Sequence, residues 1–218
     1  MRRNLLLFPL LVCAVSGFSQ QDSSYIQVGI NTARLVTMNR TIQEDIFNPY
    51  LLNFEWGNGK VGGRLSANYW SQTDTEKPSS FNGNSSFSDD TTSLDIRLGV
   101  FVERSLGKSW SVKWGADFFI AQRDRDYNTV VRDVDGLLVE SAITSSRSET
   151  GGGLSVIPEW HITPRITLST ELNLLFAGTM SSSATTSSDF PEFNASVDKE
   201  GSYIRMRPPT ALFLSVRF

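Results

Sequence analysis

Apolar side chains recur at every second position along most of this chain, in runs of about ten residues that end in turn signals. The run Leu94-Asp95-Ile96-Arg97-Leu98-Gly99-Val100-Phe101-Val102-Glu103 is the clearest. Successive strand side chains point to opposite faces, so Leu94, Ile96, Leu98, Val100 and Val102 share one face, and Asp95, Arg97, Gly99 and Glu103 share the other. The same pattern recurs over Val112–Ala121, Ile166–Phe176 and Ile204–Phe218. It predicts eight strands, at 24–35, 48–57, 60–71, 92–104, 110–124, 148–162, 165–178 and 203–218.

The connections alternate in length. Gly57-Asn58-Gly59, Leu106-Gly107-Lys108 and Thr163-Pro164 are short turns, while longer polar segments lie near 36–47, 72–91, 125–147 and 179–202. Two of these, 72–91 and 179–202, are rich in Ser, Thr, Asn and Asp and read as loops. The third contains Thr129-Val130-Val131 and Leu137-Leu138-Val139 around Asp135-Gly136, a hairpin signal that carries strands five and six outward. An even number of strands, with all short turns at one end, is the layout of an all-β, eight-stranded, antiparallel up-and-down transmembrane β-barrel.

Charge then separates the two faces. One collects Glu55, Asp95, Glu103, Asp117, Glu159 and Glu171, together with Arg64, Arg97, Lys113, Arg205, Arg207 and Arg217. The other holds Arg34 near a strand end and is otherwise nearly free of charge. A charge at the bilayer midplane of a barrel costs about 2–4 kcal/mol. Twelve of them on the lipid side would exceed the roughly 5–15 kcal/mol of a typical fold, so the charged face must point inward. The apolar face carries Phe54, Trp56, Tyr69, Trp114, Phe118, Trp160, Phe176 and Phe218 beside many aliphatics. A barrel of eight strands has an interior only just wide enough for side chains, and this set would overfill it. Trp56, Tyr69, Trp160 and Phe218 lie near strand ends, where interfacial aromatic girdles form.

Composition agrees. The chain has 218 residues, 39% of them hydrophobic, and its mean hydropathy is −0.18. Beyond the N-terminus no run approaches the roughly 18 apolar residues of a helical span. Arg2 and Arg3, the apolar run Leu5–Val15 and the small residues after it form a secretory signal peptide, expected over residues 1–19 with Gln20 opening a barrel domain of 20–218. Its removal leaves 18 basic against 23 acidic residues, a net charge of −5, a balance that does not suggest a nucleic-acid partner. The single cysteine, Cys13, lies within the signal, so disulfides do not support the mature chain.

The segment Leu212-Phe213-Leu214-Ser215-Val216-Arg217-Phe218 resembles the C-terminal signature of Gram-negative outer-membrane proteins. In that family a final Phe with apolar residues at alternate positions is recognised by the β-barrel assembly machinery, and Leu212, Leu214, Val216 and Phe218 match it. In architecture the chain is similar to small barrels such as the transmembrane domain of outer-membrane protein A. The resemblance implies residence in the outer membrane, with its lipid and lipopolysaccharide as surroundings.

Three functions follow as expectations. A scaffold plugged by paired inward charges, with its long loops in a structural or surface-binding role, comes first. A narrow pore or small-molecule channel lined by the same charges is the alternative, with Gly29, Gly62, Gly99, Gly115 and Gly153 leaving room for water or for large neighbours such as Phe101, Phe119 and Phe213. A lipid-remodelling enzyme is third. Its base would be the only histidine, His161, two residues from Glu159 on the same face. No catalytic residue is assigned. Asp124-Arg125-Asp126-Tyr127-Asn128 opens like a calcium loop, but Thr129 stands where that loop needs Gly and Asp135 where it needs Glu. No motif for a cofactor or a bound metal is expected.

Overall fold

The computed structural model describes residues 24–33, 50–76, 85–132, 138–187, 192, 194–209 and 211–218. The expected signal peptide, Cys13, Arg34 and the Asp135-Gly136 turn lie outside them. Ten strand segments follow one another: β1 (Tyr25–Asn31), β2 (Leu52–Gly57), β3 (Val61–Glu76), β4 (Ser85–Ser105), β5 (Trp110–Arg132), β6 (Leu138–His161), β7 (Ile166–Ser169), β8 (Leu172–Ser187), β9 (Ala195–Arg207) and β10 (Phe213–Arg217). Each of β1 to β5 pairs antiparallel with the strand that follows it. Both β7 and β8 lie against β6, β9 lies against β8, and β10 joins β7 to β1. The ring therefore has eight staves. Phe218 seals it, donating its N–H to the Ile26 carbonyl at 2.7 Å and accepting from Ile26 at 3.3 Å.

Two staves are interrupted, for reasons visible in their residues. Between β7 and β8, Thr170 faces Pro158, which has no N–H to return. Register is nevertheless continuous, since Glu159↔Ser169 and Val156↔Leu172 obey one spacing. Between β9 and β10, Pro208-Pro209 ends the ladder. The pairs Asn173↔Arg207 and Ser169↔Phe213 enclose three residues on one stave and five on the other. The excess is two residues, so alternation survives. Arg205, Arg207, Phe213 and Ser215 thus keep to the same side of the sheet.

The turns are set by local chemistry. Asn58 Oδ1 accepts from Lys60 N and Val61 N at 3.1 and 3.0 Å, and Gly59 takes a positive φ of 79° that suits a residue without Cβ. Thr163 Oγ1 does the same for Arg165 N and Ile166 N at 3.2 and 3.0 Å.

At the other end the wall is taller than its composition suggests. The segments 72–91 and 179–202, expected as polar loops, are largely paired strand: β3 and β4 continue to Glu76 and from Ser85, and β8 and β9 to Ser187 and from Ala195. Ser and Thr there do not break the ladder, because Thr suits the pleat and the backbone supplies its own hydrogen bonds. Cross-strand contacts add to it, among them Arg125–Asp89 at 2.6 Å and Phe87–Tyr127 at 6.0 Å between centroids. The hairpin of β5 and β6 also protrudes, through Arg132 and from Leu138.

Sidedness is unambiguous. Leu94, Ile96, Leu98, Val100 and Val102 are 40–66% exposed, as are Trp56, Tyr69, Trp114, Phe118, Trp160, Phe176 and Phe218 within a similar range. Arg64, Lys113 and Glu159 have no exposure at all. Water-facing patches of that size and continuity do not occur on ordinary soluble domains. The outer wall is built for hydrocarbon. Leu98→Arg, in mid-belt, is expected to lower unfolding stability in lipid vesicles by about 2–4 kcal/mol. A soluble barrel would lose within about 0.5 kcal/mol at such a surface position, and urea titration in vesicles separates the two.

Candidate functional site in the barrel lumen

The lumen is filled by charge in two groups. In the central group Arg64 of β3 donates to Asp117 of β5, with Nε 2.7 Å from Oδ1, and its Nη1 lies 2.8 Å from Glu171 Oε1. Arg97 of β4 pairs with the same Glu171 and lies over the Tyr50 ring at 4.3 Å. Ser155 and Ser66 accept further hydrogen bonds, at 2.6 Å from Arg64 Nη2 and 2.8 Å from Arg97 Nη2.

Glycines make this approach possible. Arg64, Gly99, Asp117 and Gly153 are cross-strand neighbours in one row, so Asp117 has a glycine on either side. A Cβ at Gly99 would collide with Asp117 Oδ1. The room expected beside large apolar neighbours is, at Gly99, taken by a carboxylate.

The second group occupies the mouth at the short-turn end. Lys113 pairs with Glu55 and with Glu159, the latter at 2.8 Å, and its ammonium faces the Phe101 ring at 4.9 Å. Arg217 lies 3.6 Å from Glu103 and stacks 3.9 Å over Tyr25, whose hydroxyl donates to Glu103 at 2.9 Å. Gln27 joins them, donating to Glu159 at 3.2 Å and accepting from Arg217 at 3.3 Å.

Nine of the twelve inward charges picked from alternation thus stand in these two groups. The other three belong to neither. Asp95 is buried and accepts from Asn68 and Ser93, each at 3.3 Å. Arg207 is buried, and Arg205 is half-buried with its guanidinium 4.5 Å from the Tyr203 ring. Reasoning from strand faces missed Glu149, which is buried, pairs with Arg147 at 2.7 Å and accepts from Tyr203 at 2.7 Å. It also missed Tyr25 and Tyr50 as platforms for the cations. Glu149 fell where alternation blurs, in the Ser- and Thr-rich start of β6. An apolar cluster of Phe119, Leu175 and Ala177, with Tyr203 against it, fills the lumen beside these groups.

Leu212, Leu214, Val216 and Phe218 all lie on the outer wall, 42–48% exposed. Asp124 to Asn128 run as extended strand within β5, where a calcium loop would have to turn, and Asp124 accepts from Ser146 at 2.7 Å.

His161 has a more suggestive setting. Its Nε2 lies 3.0 Å from Ser111 Oγ and its Nδ1 lies 3.1 Å from Thr167 Oγ1. Ser111 donates to Glu159 at 3.1 Å. In a hydrolase relay the carboxylate orients the imidazole; here it holds the serine instead, and the serine is buried.

Two outcomes test the electrostatics. Arg64→Met strands Asp117 and part of Glu171, so it should cost about 3–5 kcal/mol. The double variant R64M/D117N should recover part of that loss, read as urea midpoints in detergent micelles. Beyond the membrane, the hydrogen bond from Arg125 holds the Asp89 carboxyl below the usual carboxylate range. A depressed folded value means the pair contributes fully above the ordinary range and is lost as pH falls through the folded value. Amide exchange over 87–91 and 123–127, corrected for intrinsic rates, should accelerate in that acid window, and D89N should reproduce the effect at neutral pH.

No family model matches the sequence, and no curated protein matches it. Solved structures do resemble its backbone. A major outer membrane protein from Thermus thermophilus is 12% identical over 89% of this chain and 98% of that one, with a TM-score of 0.44. CarO of Acinetobacter baumannii is 12% identical over 89% and 95%, with a TM-score of 0.42. Ail, the attachment invasion locus protein of Yersinia pestis, is 12% identical over 91% and 100%, with a TM-score of 0.38. These likenesses are weak in score and belong to the backbone alone; the reading of this barrel rests on its own geometry.

Proposed function

We propose that the chain is an integral outer-membrane barrel, exported by a cleaved signal over residues 1–19, whose lumen is closed and whose hairpin end serves a structural or surface-binding role. The single observation that carries the plug is Arg64. Its side chain has no solvent exposure and bridges Asp117 and Glu171 across the lumen. A channel needs a wetted path between its charges; here the central charges pair with one another, and Phe101, Phe119 and Phe213 are packed inside at 2–3% exposure.

Short turns face the periplasm in such barrels and long connections face outward. That assigns the Trp110–Trp160 pair, stacked at 6.2 Å, to the periplasmic interface and the tall sheet of β3 to β9 to the exterior. Among the described residues β1 ends at Asn31 and β2 begins at Leu52, and the outer ends of β3 and β9 are not paired to each other. Leu212, Leu214, Val216 and Phe218 serve as the signal read by the assembly machinery and then face lipid. A non-enzymatic barrel is part of this reading; it is supported by the Ser111–His161–Glu159 group, where the carboxylate holds the serine rather than the imidazole.

Reconstitution into planar bilayers is the test. The wild-type barrel is expected to give no stable single-channel steps across the physiological voltage range, whereas R64M should become leaky. Steady, voltage-independent conductance from the wild type would replace the plug with the pore.

A further inference from the structure

The two charge groups are not alike. The central one balances, with Arg64 and Arg97 against Asp117 and Glu171. The mouth sets three carboxylates, Glu55, Glu103 and Glu159, against two cations, Lys113 and Arg217, among the described residues. It holds one carboxylate more than it holds cations.

The geometry points to a site for a divalent first-row transition ion of the zinc type, held at the short-turn mouth by Glu103, Glu159 and His161. One ligand atom from each of these three lies within 4.8 Å of the others. Zinc bonds of about 2.0–2.2 Å set tetrahedral ligand atoms about 3.4 Å apart, a contraction within reach of side-chain torsions.

The bonding of each group leaves the needed atom available. Glu159 Oε1 is occupied by Lys113 and Gln27, while Oε2 accepts from Ser111 on the histidine side. Lys113 can therefore keep its partner while the other oxygen turns to an ion. Glu103 accepts from Tyr25 on Oε2 and has Arg217 only at 3.6 Å from Oε1. His161 has the partner that ligating histidines use: Thr167 Oγ1, fully buried, stands 3.1 Å from Nδ1. With an ion bound, Nδ1 keeps its proton and donates to that oxygen, and Nε2 presents its lone pair. Ser111 Oγ, 3.0 Å from Nε2, or a water fills the fourth position.

The donor set fixes the class of ion. Calcium and magnesium take oxygen donors almost alone, whereas one imidazole with two carboxylates suits zinc and its neighbours. The site is also reachable: His161 and Glu103 are half-buried at the rim. Glu103 belongs to β4 and the other two ligands to β6, so an ion would clip strands on either side of β5.

The test uses the barrel purified from membranes in detergent, without an affinity tag, stripped with chelator and titrated with zinc chloride by calorimetry. His161 is the only histidine in the chain, which makes the result readable. One ion per chain is expected, with a rise in thermal midpoint on zinc addition. H161A and E103Q should each weaken binding at least about tenfold, and T167V about 10–100-fold through the orientation of the ring. Cobalt in place of zinc should give visible d–d bands that H161A abolishes. Folding of each variant is checked by heat-modified gel mobility; if H161A does not fold, E103Q and T167V decide. No saturable binding to the wild type overturns the proposal. So does wild-type affinity in folded E103Q and T167V, which would put the ion on outer carboxylates instead.

Discussion

Backbone closure is the constraint from which the rest of this structure follows. Hydrocarbon offers no partner to an amide, so a sheet in a membrane must leave no edge within it. Here the last ladder is β1 with β10, five residue pairs from Gln27↔Arg217 to Asn31↔Phe213, finished by the reciprocal bonds of Ile26 and Phe218. Once the ring is shut, each stave must show one side chain in two to lipid and the next to a narrow lumen. Every charge that the chain carries at membrane depth is thereby forced into company with the others.

The lumen answers that crowding by pairing charges across it. Arginines span between strands that are not neighbours, Arg64 reaching from β3 to Asp117 on β5 and Arg97 from β4 to Glu171 beside β8. Glycine on both flanks of Asp117 gives the forked side chain its place. Tyrosine rings line the cations at Arg97, Arg217 and Arg205. Such networks are costly to assemble and more costly to break. The mouth is the exception, since its ions do not cancel among themselves.

The two ends of the barrel obey different rules. At the turn end, Asn58 and Thr163 cap their own turns, and Trp110 and Trp160 stack against the interface. At the hairpin end, strands rise past the belt on backbone hydrogen bonds and a few exposed pairs such as Arg125–Asp89. Exposed pairs of that kind contribute little individually, about 0–1 kcal/mol. The tall sheet therefore stands mainly on its ladders, and its side chains are left available to the surroundings.

Alternation made the architecture legible from residue order alone. Strand identity, the short turns and the choice of face are local properties with a period of two, so Leu94 to Val102 announce the outer wall without any partner in view. The same logic picked twelve charges as inward-facing. It failed at 72–91 and 179–202, because Ser and Thr look alike in a loop and in a solvated strand, and only pairing distinguishes them. It also passed over Glu149, Tyr25 and Tyr50. Which carboxylate meets which cation was decided by closure: Arg64 and Asp117 are 53 positions apart, and Arg97 and Glu171 are 74 apart. No local pattern encodes such distances. Nor does composition reveal that five of the acids and four of the bases gather in a balanced centre and a mouth with one carboxylate in excess, since that depends on the register at which the staves are pinned together.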